Sequence, residues 1–267
     1  MLIRPGSRCM ILMVALLVVA GVCGAQQQPP ASAPQTPAEP AVAPEAIATL
    51  EKMGGFLRTL KTFTLHADTT IDEVLDDTGQ KIQFGGVVDF HVRAPDRLRV
   101  EVSSDRKQRQ FFYDGKTLTL YGQRVKYYAS VPAPPTIREM LEVAEQKYGL
   151  ELPLADLFFW GTDKAHPEDI KTAIYVGPGW IGGVLCDHYA FRQEEADWQL
   201  WIERSDTPLP RKLVITTTDE EEQPQFVAVL TWNLAPQLDD AMFTFVPPAD
   251  AQKIVLREVA PPPPGKN

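Results

Sequence analysis

Cysteine is nearly absent from this sequence. The 267 residues include only Cys9, Cys23 and Cys186, and the first two lie in an apolar N-terminal stretch that resembles an export leader. A single remaining thiol cannot form an internal disulfide. The fold must therefore be stabilised by apolar burial, which a folded part of about 215 residues is long enough to supply.

Positive charge is also scarce. Lys and Arg number 26 against 35 Asp and Glu, which gives a formal charge of −9. Removal of a leader that carries Arg4 and Arg8 but no acidic residue takes the charge from −9 to −11. A surface that binds nucleic acid needs clustered Lys and Arg to neutralise phosphates, so this balance argues against nucleic acid as a partner.

Motifs that carry catalysis or metal binding are missing. The chain has no nucleophile-elbow serine, no phosphate-binding lysine loop and no zinc-protease helix. Cys186 and His188 share one side of a predicted strand, but two ligands do not make a metal site. The acidic run 219–222 lacks the ligand spacing of a calcium loop and predicts a charged hairpin turn. We therefore expect no catalytic residues, no metal site and no cofactor.

One glycine pattern needs a separate interpretation. Residues 177–182, Gly-Pro-Gly-Trp-Ile-Gly, match the spacing of a dinucleotide-binding loop. That loop requires a following helix to receive the pyrophosphate, whereas the residues after it have the pattern of a strand. The sequence predicts a glycine-rich β-turn here.

Three segments are predicted to lie outside the folded domain. Residues 1–25 combine a positive start, an apolar stretch and the small-residue site Cys23-Gly24-Ala25, which predicts a secretory signal peptide and export of the chain. Residues 26–44 contain six prolines and no aromatic residue, which is typical of an extended linker. Residues 260–267 form a Pro-rich tail. The domain itself is predicted to cover 45–259.

The anchoring of the exported chain has two interpretations. The apolar stretch Met10–Ala20 is shorter than the roughly 20 residues that cross a hydrocarbon core, which favours cleavage over a retained anchor. Alternatively, Cys23 is retained as a lipidated first residue. Val22 disfavours this second interpretation, because lipoprotein processing sites prefer a small residue before the cysteine.

Hydrophobic periodicity predicts an α+β fold. Apolar residues recur every three or four positions over 45–61, which indicates an amphipathic helix that Gly54 and Gly55 weaken. Strict alternation in 86–93 and 97–102 indicates strands with one buried face. Asp114-Gly115 predicts a two-residue hairpin turn, and 64–130 as a whole predicts a meander of about six strands.

The second half repeats this arrangement. Thr136 and Glu139 predict a capping box at the start of a helix that ends near Tyr148, and a short helix is expected over 154–160. Further strands are predicted at 170–176, 184–193, 197–204, 211–218 and 225–233. Short connections favour one large curved antiparallel sheet whose apolar face is covered by the helices.

Inward-facing apolar residues are the candidate ligand site. A curved sheet that does not close leaves a mouth, and apolar side chains there can hold an acyl chain. The candidate cavity-lining residues are Phe90, Val100, Leu118, Leu120, Trp198, Leu200 and Trp232. The alternative is that they only fill the core. Arg97, Arg99 and Arg109 are candidate contacts to a head group, with simple solvation as the alternative.

Several stretches resemble a known family. They are 92–99 (VRAPDRLR), 113–121 (YDGKTLTLY), 208–216 (PLPRKLVIT), and the end from Trp232-Asn-Leu-Ala-Pro to Phe243-Thr-Phe-Val-Pro-Pro. They are similar to exported bacterial proteins of the DUF2092 family, with the half-barrel fold of periplasmic lipoprotein carriers (LolA-like). The resemblance implies an unclosed half-barrel wrapped around helices, an apolar cavity for acyl chains and a Gram-negative periplasm.

The chain departs from the carriers at one position. The carriers have an arginine before the proline of the second-strand motif, where it helps to hold a lid, and this chain has Ala94 before Pro95. Arg93 is one position earlier and points to the other face by strand alternation. The resemblance therefore does not extend to the lipoprotein shuttle mechanism.

These observations predict a periplasmic, non-catalytic protein that binds a lipid or lipoprotein acyl chain in the half-barrel. The alternative is an envelope scaffold or sensor domain that engages a protein partner and has no cavity. An open interior favours the first and a filled interior favours the second.

Overall fold

The structure of the protein is a computed structural model that describes residues 41–259. The predicted signal peptide, residues 26–40 of the predicted linker and the Pro-rich tail lie outside the described residues. The last residues assigned to the linker are ordered against the domain. The backbone N–H of Ala43 donates to the carbonyl of Ala173 at 2.8 Å, and the N–H of Ala173 donates to the carbonyl of Ala41 at 2.9 Å.

The described chain contains helices and strands in the order that the periodicity predicts. The α-helices are α1 (Pro44–Thr59) and α2 (Ile137–Tyr148), and short 3-10 helices cover Ala155–Phe158, Pro167–Asp169 and Asp240–Phe243. The strands are β1 (Thr62–Val74), β2 (Lys81–Arg93), β3 (Arg97–Ser104), β4 (Gln108–Tyr113), β5 (Thr117–Gly122), β6 (Tyr127–Pro132), β7 (Thr172–Ile181), β8 (Val184–Arg192), β9 (Ala196–Glu203), β10 (Pro210–Thr217), β11 (Gln225–Asn233) and β12 (Gln252–Lys253).

All twelve strands of the described region belong to one sheet. Its order is β12-β6-β5-β4-β3-β2-β1-β11-β10-β9-β8-β7. Neighbouring strands are antiparallel except β12, which pairs with β6 in parallel. β12 and β7 are the two edges, so the sheet is not closed. The predicted α+β class, an unclosed antiparallel half-barrel around a few helices, is confirmed.

The core lies between the helices and one face of this sheet, here called the inner face. Alternate residues of each strand are buried on it, for example Val88, Phe90 and Val92 on β2. Met53 of α1 and Met140 of α2 belong to the same buried cluster. Side chains from both helices therefore pack against the concave inner face of the sheet.

α1 packs unusually closely against the segment that contains Trp160 and Gly161. A Cβ atom added to Gly54 would lie 2.6 Å from the backbone N of Gly161, so the helix touches the backbone of the segment that follows Ala155–Phe158. The guanidinium of Arg58 lies beside Gly161 and donates to the carbonyl of Trp160 at 3.4 Å. Gly54 lowers intrinsic helix stability, and the close approach is the physical reason for its presence.

α2 begins with the predicted capping box. The backbone N–H of Glu139 donates to the Thr136 hydroxyl at 3.3 Å, and the Thr136 hydroxyl donates to the Glu139 carboxylate at 2.8 Å. Gly149 ends the helix with a φ of 61°, in the left-handed region that glycine tolerates.

The outer face is covered in part by a C-terminal strap, residues 234–259. Phe245 of the strap packs on Phe112, Tyr121 and Tyr128, with ring centroids 5.0–5.3 Å apart. Arg93 lies on this face, as strand alternation predicts, where it pairs with Asp240. The strap then supplies β12, which covers the β6 edge.

Two predicted turns differ from the structure. β4 ends at Tyr113 and β5 begins at Thr117, so the loop is longer than the two-residue Asp114-Gly115 turn. The Asp114 carboxylate accepts from the backbone N–H groups of Lys116 at 3.0 Å and Thr117 at 2.8 Å, and these bonds favour the longer loop.

The glycine-rich stretch 177–182 is mostly strand rather than turn. β7 continues to Ile181 through a bulge between Tyr175 and Gly177, and the chain reverses at Gly182 and Gly183. Gly177 has a φ of 140°, which side chains rarely adopt, so glycine is what allows the strand to continue past the bulge.

Within residues 41–259, no helix has both the length and the apolar character needed to cross a bilayer.

A pair of neighbouring glycines tests the close approach of α1. Gly54→Ala places its methyl group against backbone atoms of Trp160 and Gly161, and we expect a loss of about 1–3 kcal/mol in the free energy of unfolding. Gly55→Ala is the matched control, because its Cβ would meet only the Arg58 side chain at 3.7 Å. It should gain roughly 0.5–1 kcal/mol from helix propensity. Urea unfolding measures both, and equal effects would contradict the proposed packing.

Candidate binding cavities

On the inner face, residues 41–259 leave a larger and a smaller cavity where the helical cover is incomplete. The larger has a volume of about 590 Å³ and lies between α1, the segment 156–170 and strands β9 and β10. Its apolar lining consists of Ile47, Leu50, Phe159, Trp160, Ala165, Pro167, Ile170, Ala196, Trp198, Leu213 and Ile215.

Trp198 forms one wall of this larger cavity. Its indole stacks on Phe191, with ring centroids 4.0 Å apart and planes 17° apart. Its Nε1–H donates to the Gln193 side-chain oxygen at 3.0 Å. The ring is therefore held on one side by a neighbour and on its edge by a hydrogen bond, which fixes the shape of the wall.

Four ionisable residues lie at the larger cavity: Glu51, Arg58, Asp156 and Lys164. Lys164 forms an ion pair with Glu142 at 2.5 Å, and Arg58 donates to a backbone carbonyl. Asp156 lines the cavity and is partly exposed to solvent there. Protein atoms crowd its carboxyl and partly desolvate it, which raises the pKa of the carboxyl above its ordinary value.

The smaller cavity, of about 340 Å³, lies at the other end of α1. It is lined by Leu57, Leu60, Phe63, Val92, Ala94, Pro95, Ile137, Leu157, Phe158 and Trp232, together with the polar or charged Arg58, Lys61, Thr136 and Arg138. Trp232 packs on Phe63 with centroids 5.4 Å apart, and its Nε1–H donates to the carbonyl of Pro210 at 2.8 Å. Arg58 lines both cavities and lies between them.

The structure divides the candidate cavity-lining residues. Trp198 lines the larger cavity and Trp232 the smaller. The other five line neither of these two cavities: Phe90, Val100, Leu118 and Leu200 are buried in the core, and Leu120 is half-buried against it. Phe90, for example, packs on Phe158 with ring centroids 6.2 Å apart. Phe90, together with Trp232, also borders a third pocket of about 210 Å³ between β1, β2 and β11.

The three candidate arginines also line neither cavity. Arg97 and Arg99 lie on the outer face, where Arg97 bonds Asp96 and Arg99 pairs with Glu101 at 2.9 Å. Arg109 is exposed, and its register opposite Val102 places it on the inner side, outside both cavities.

Most of the cavity lining comes from residues that the sequence did not identify. Ile47 and Leu50 were assigned to the apolar side of a helix, but nothing in their spacing shows that they border empty space. Asp156 and Trp160 lie in the predicted short helix 154–160, which is too short for its spacing to show which side chains border a cavity.

Cys186 is buried as a structural thiol. It is fully covered, and burial raises the pKa of its thiol to about 11. A thiol with so high a pKa is protonated at neutral pH and is a poor nucleophile or metal ligand.

The raised pKa of Asp156 predicts a pH-dependent effect on stability. The pKa of the Asp156 carboxyl is higher in the folded chain than in the unfolded chain, so ionisation of this group destabilises the fold. The free energy of unfolding that it contributes therefore falls as the pH rises from below 3.8, the ordinary pKa, through the pKa in the folded chain. Asp156→Asn should therefore raise the free energy of unfolding at neutral pH and leave it unchanged near pH 3. Urea unfolding at both pH values measures the difference, and the same gain at both would show a packing effect instead.

Comparison with solved structures finds similar folds at low identity. LppX, a lipoprotein of Mycobacterium tuberculosis, is 10% identical over 73% of this chain and 99% of its own, with a TM-score of 0.45. A LolA superfamily protein from Nitrosomonas europaea is 11% identical over 75% of this chain and 97% of its own, with a TM-score of 0.35. MucB in its complex with MucA, from Pseudomonas aeruginosa, is 16% identical over 79% of this chain and 63% of its own, with a TM-score of 0.42.

No curated protein matches the sequence. Residues 46–257 match the family model described as "Predicted periplasmic protein (DUF2092)", which spans nearly the whole described domain. The chain therefore belongs to the DUF2092 family of predicted periplasmic proteins.

Proposed function

We propose that the protein binds the acyl chain of a lipid or lipoprotein, without catalysis, in the cavities beneath α1. The observation that carries the proposal is the larger cavity of about 590 Å³, which lies within the range of about 300–1,000 Å³ typical of ligand pockets. The lining is mostly apolar but includes four ionisable residues, which suits a chain of methylenes that ends in a polar head group.

Burial of methylenes supplies enough free energy for this function. Each CH₂ moved from water to an apolar site contributes about 0.8 kcal/mol. Eight of them contribute roughly 6 kcal/mol, which corresponds to a dissociation constant of tens of micromolar before ordering costs. Longer chains that also reach the smaller cavity would bind more tightly, provided that Arg58 moves aside.

The proposal does not include a lipoprotein shuttle like that of the carriers. Ala94 replaces the lid-holding arginine, and Arg93 pairs with Asp240 of the C-terminal strap on the outer face. In this chain Arg58 lies between the two cavities and donates to the carbonyl of Trp160.

Filling the cavity tests the site. Ala196→Phe places a phenyl group in the larger cavity, and we expect it to weaken binding of a fluorescent fatty acid by at least about tenfold, since the ring displaces several methylenes. Ala249→Phe is the matched control, at an exposed alanine of the strap. It should bind as the wild type does.

Fluorescence titration of the purified proteins measures both affinities. Absence of uptake by the wild-type protein would overturn the proposal and would favour the envelope scaffold or sensor domain with a protein partner. Equal loss in both variants would show that the cavity is not the site.

Chain length gives a second test. Each methylene added to a saturated fatty acid should lower the dissociation constant about fourfold until the cavity is full, and the gain should then stop. Isothermal titration calorimetry over a series of chain lengths measures this trend. An affinity that is independent of chain length would contradict apolar burial as the source of binding.

A further inference from the structure

The hairpin formed by β7 and β8 has an unusual composition. From Thr172 to Cys186 the chain contains no charged residue, although 23% of the whole sequence is charged. Lys171 and Asp187 bound this run. The part nearest the turn, residues 178–185 (Pro-Gly-Trp-Ile-Gly-Gly-Val-Leu), is here called the hairpin tip.

Burial does not account for this composition. An uncharged run also covers 223–238, but most of it is β11, which lies between β1 and β10 in the middle of the sheet. β11 is paired along both edges, so it needs no charged side chain against unwanted pairing. β7 is an edge strand, where charged side chains are the usual protection against unwanted pairing. The run is therefore uncharged at a position that favours charge.

Several apolar side chains of β7 are exposed, and the hairpin tip projects from the body of the protein. Trp180 is 70% exposed, Val176 52% and Ile174 51%. A Cβ atom added to Gly182 or Gly183 would meet no other atom within 4 Å. The turn therefore points into open space with a tryptophan beside it.

We propose that the hairpin tip docks the protein on a phospholipid bilayer by inserting into its interfacial region. At about 3.3 Å per residue, the two residues on either side of the turn within the hairpin tip span roughly 7 Å, which lies within the 5–10 Å depth to which interfacial segments insert. Tryptophan prefers this region because its ring is apolar and its N–H is polar.

The first charges beyond the tip fit the same orientation. The Asp187 carboxylate accepts from the Tyr175 hydroxyl at 2.9 Å and from Nε of Arg204 at 3.2 Å. The backbone N–H of Arg204 donates to the carbonyl of Leu185 at 3.0 Å, so this neutralised pair lies at the base of the tip. Such a pair can remain at head-group level while the uncharged residues insert.

A bilayer fits this surface better than a second copy of the chain. Addition of another strand to β7 requires a regular edge, and the bulge at Tyr175/Gly177 together with Pro178 interrupts it. The tip also offers no charged side chain for electrostatic recognition of a protein. The chain as a whole carries a formal charge of −9, so the bilayer is expected to be zwitterionic rather than anionic.

Vesicle flotation of the exported protein with phosphatidylcholine vesicles tests the proposal. Trp180→Asp should lower vesicle binding by at least about tenfold, because it puts a charge where the ring inserts. Val125→Asp is the matched control, because Val125 is 63% exposed in the β5–β6 turn. This variant should bind as the wild type does, and binding should be unchanged when the ionic strength is raised tenfold.

Other outcomes overturn the proposal. These are absence of wild-type binding, equal loss in both variants, loss of binding at high salt, or self-association without vesicles that depends on Trp180. Fatty-acid uptake measured on the same variants keeps this test separate from the proposed function. Uptake should be equal in all three proteins, because Trp180 lines neither cavity.

Discussion

One constraint shapes the whole structure: the apolar inner face of a very wide sheet must be covered. Twelve strands present one continuous apolar face, and the described chain supplies only two α-helices and the segment 150–170 to cover it. The contact of Gly54 with Gly161 sets how closely α1 and that segment approach each other. Where the cover falls short, space remains on both sides of Arg58. The cavities therefore arise because the sheet is too wide for two α-helices and one segment to cover its whole inner face.

Sequence periodicity predicted the sheet well and the site poorly, for one physical reason. Alternation correctly placed Phe90 and Trp198 on the inner face, since the side-chain period of a strand is two. It carries no information about what lies opposite. Phe90 packs on Phe158 in the core, whereas Trp198 borders the larger cavity. Asp156 and Trp160 could not be predicted as lining residues, because the predicted short helix that carries them spans too few turns to fix which side faces the sheet.

The two edges of the sheet, and its two faces, are covered by different parts of the chain and to different extents. The C-terminal strap packs Phe245 on the outer face and covers the β6 edge with β12. Within the described residues, the β7 edge is covered where residues 41–43 bond Ala173, and its remaining length is uncharged and in part exposed. One end of the sheet is therefore closed by the chain itself, and the other presents apolar surface. The proposed acyl-binding interior and the proposed membrane-docking edge are compatible parts of one protein.

The central claim is that apolar space beneath α1 is occupied by an amphiphile when the protein is in its envelope. Native mass spectrometry of the protein, purified without detergent from the envelope of its own host, tests this claim most directly. The account predicts a population heavier than the bare chain by the mass of one lipid-like molecule, released on collisional activation. A single mass equal to that of the bare chain, unchanged after incubation with total envelope lipid, would contradict it.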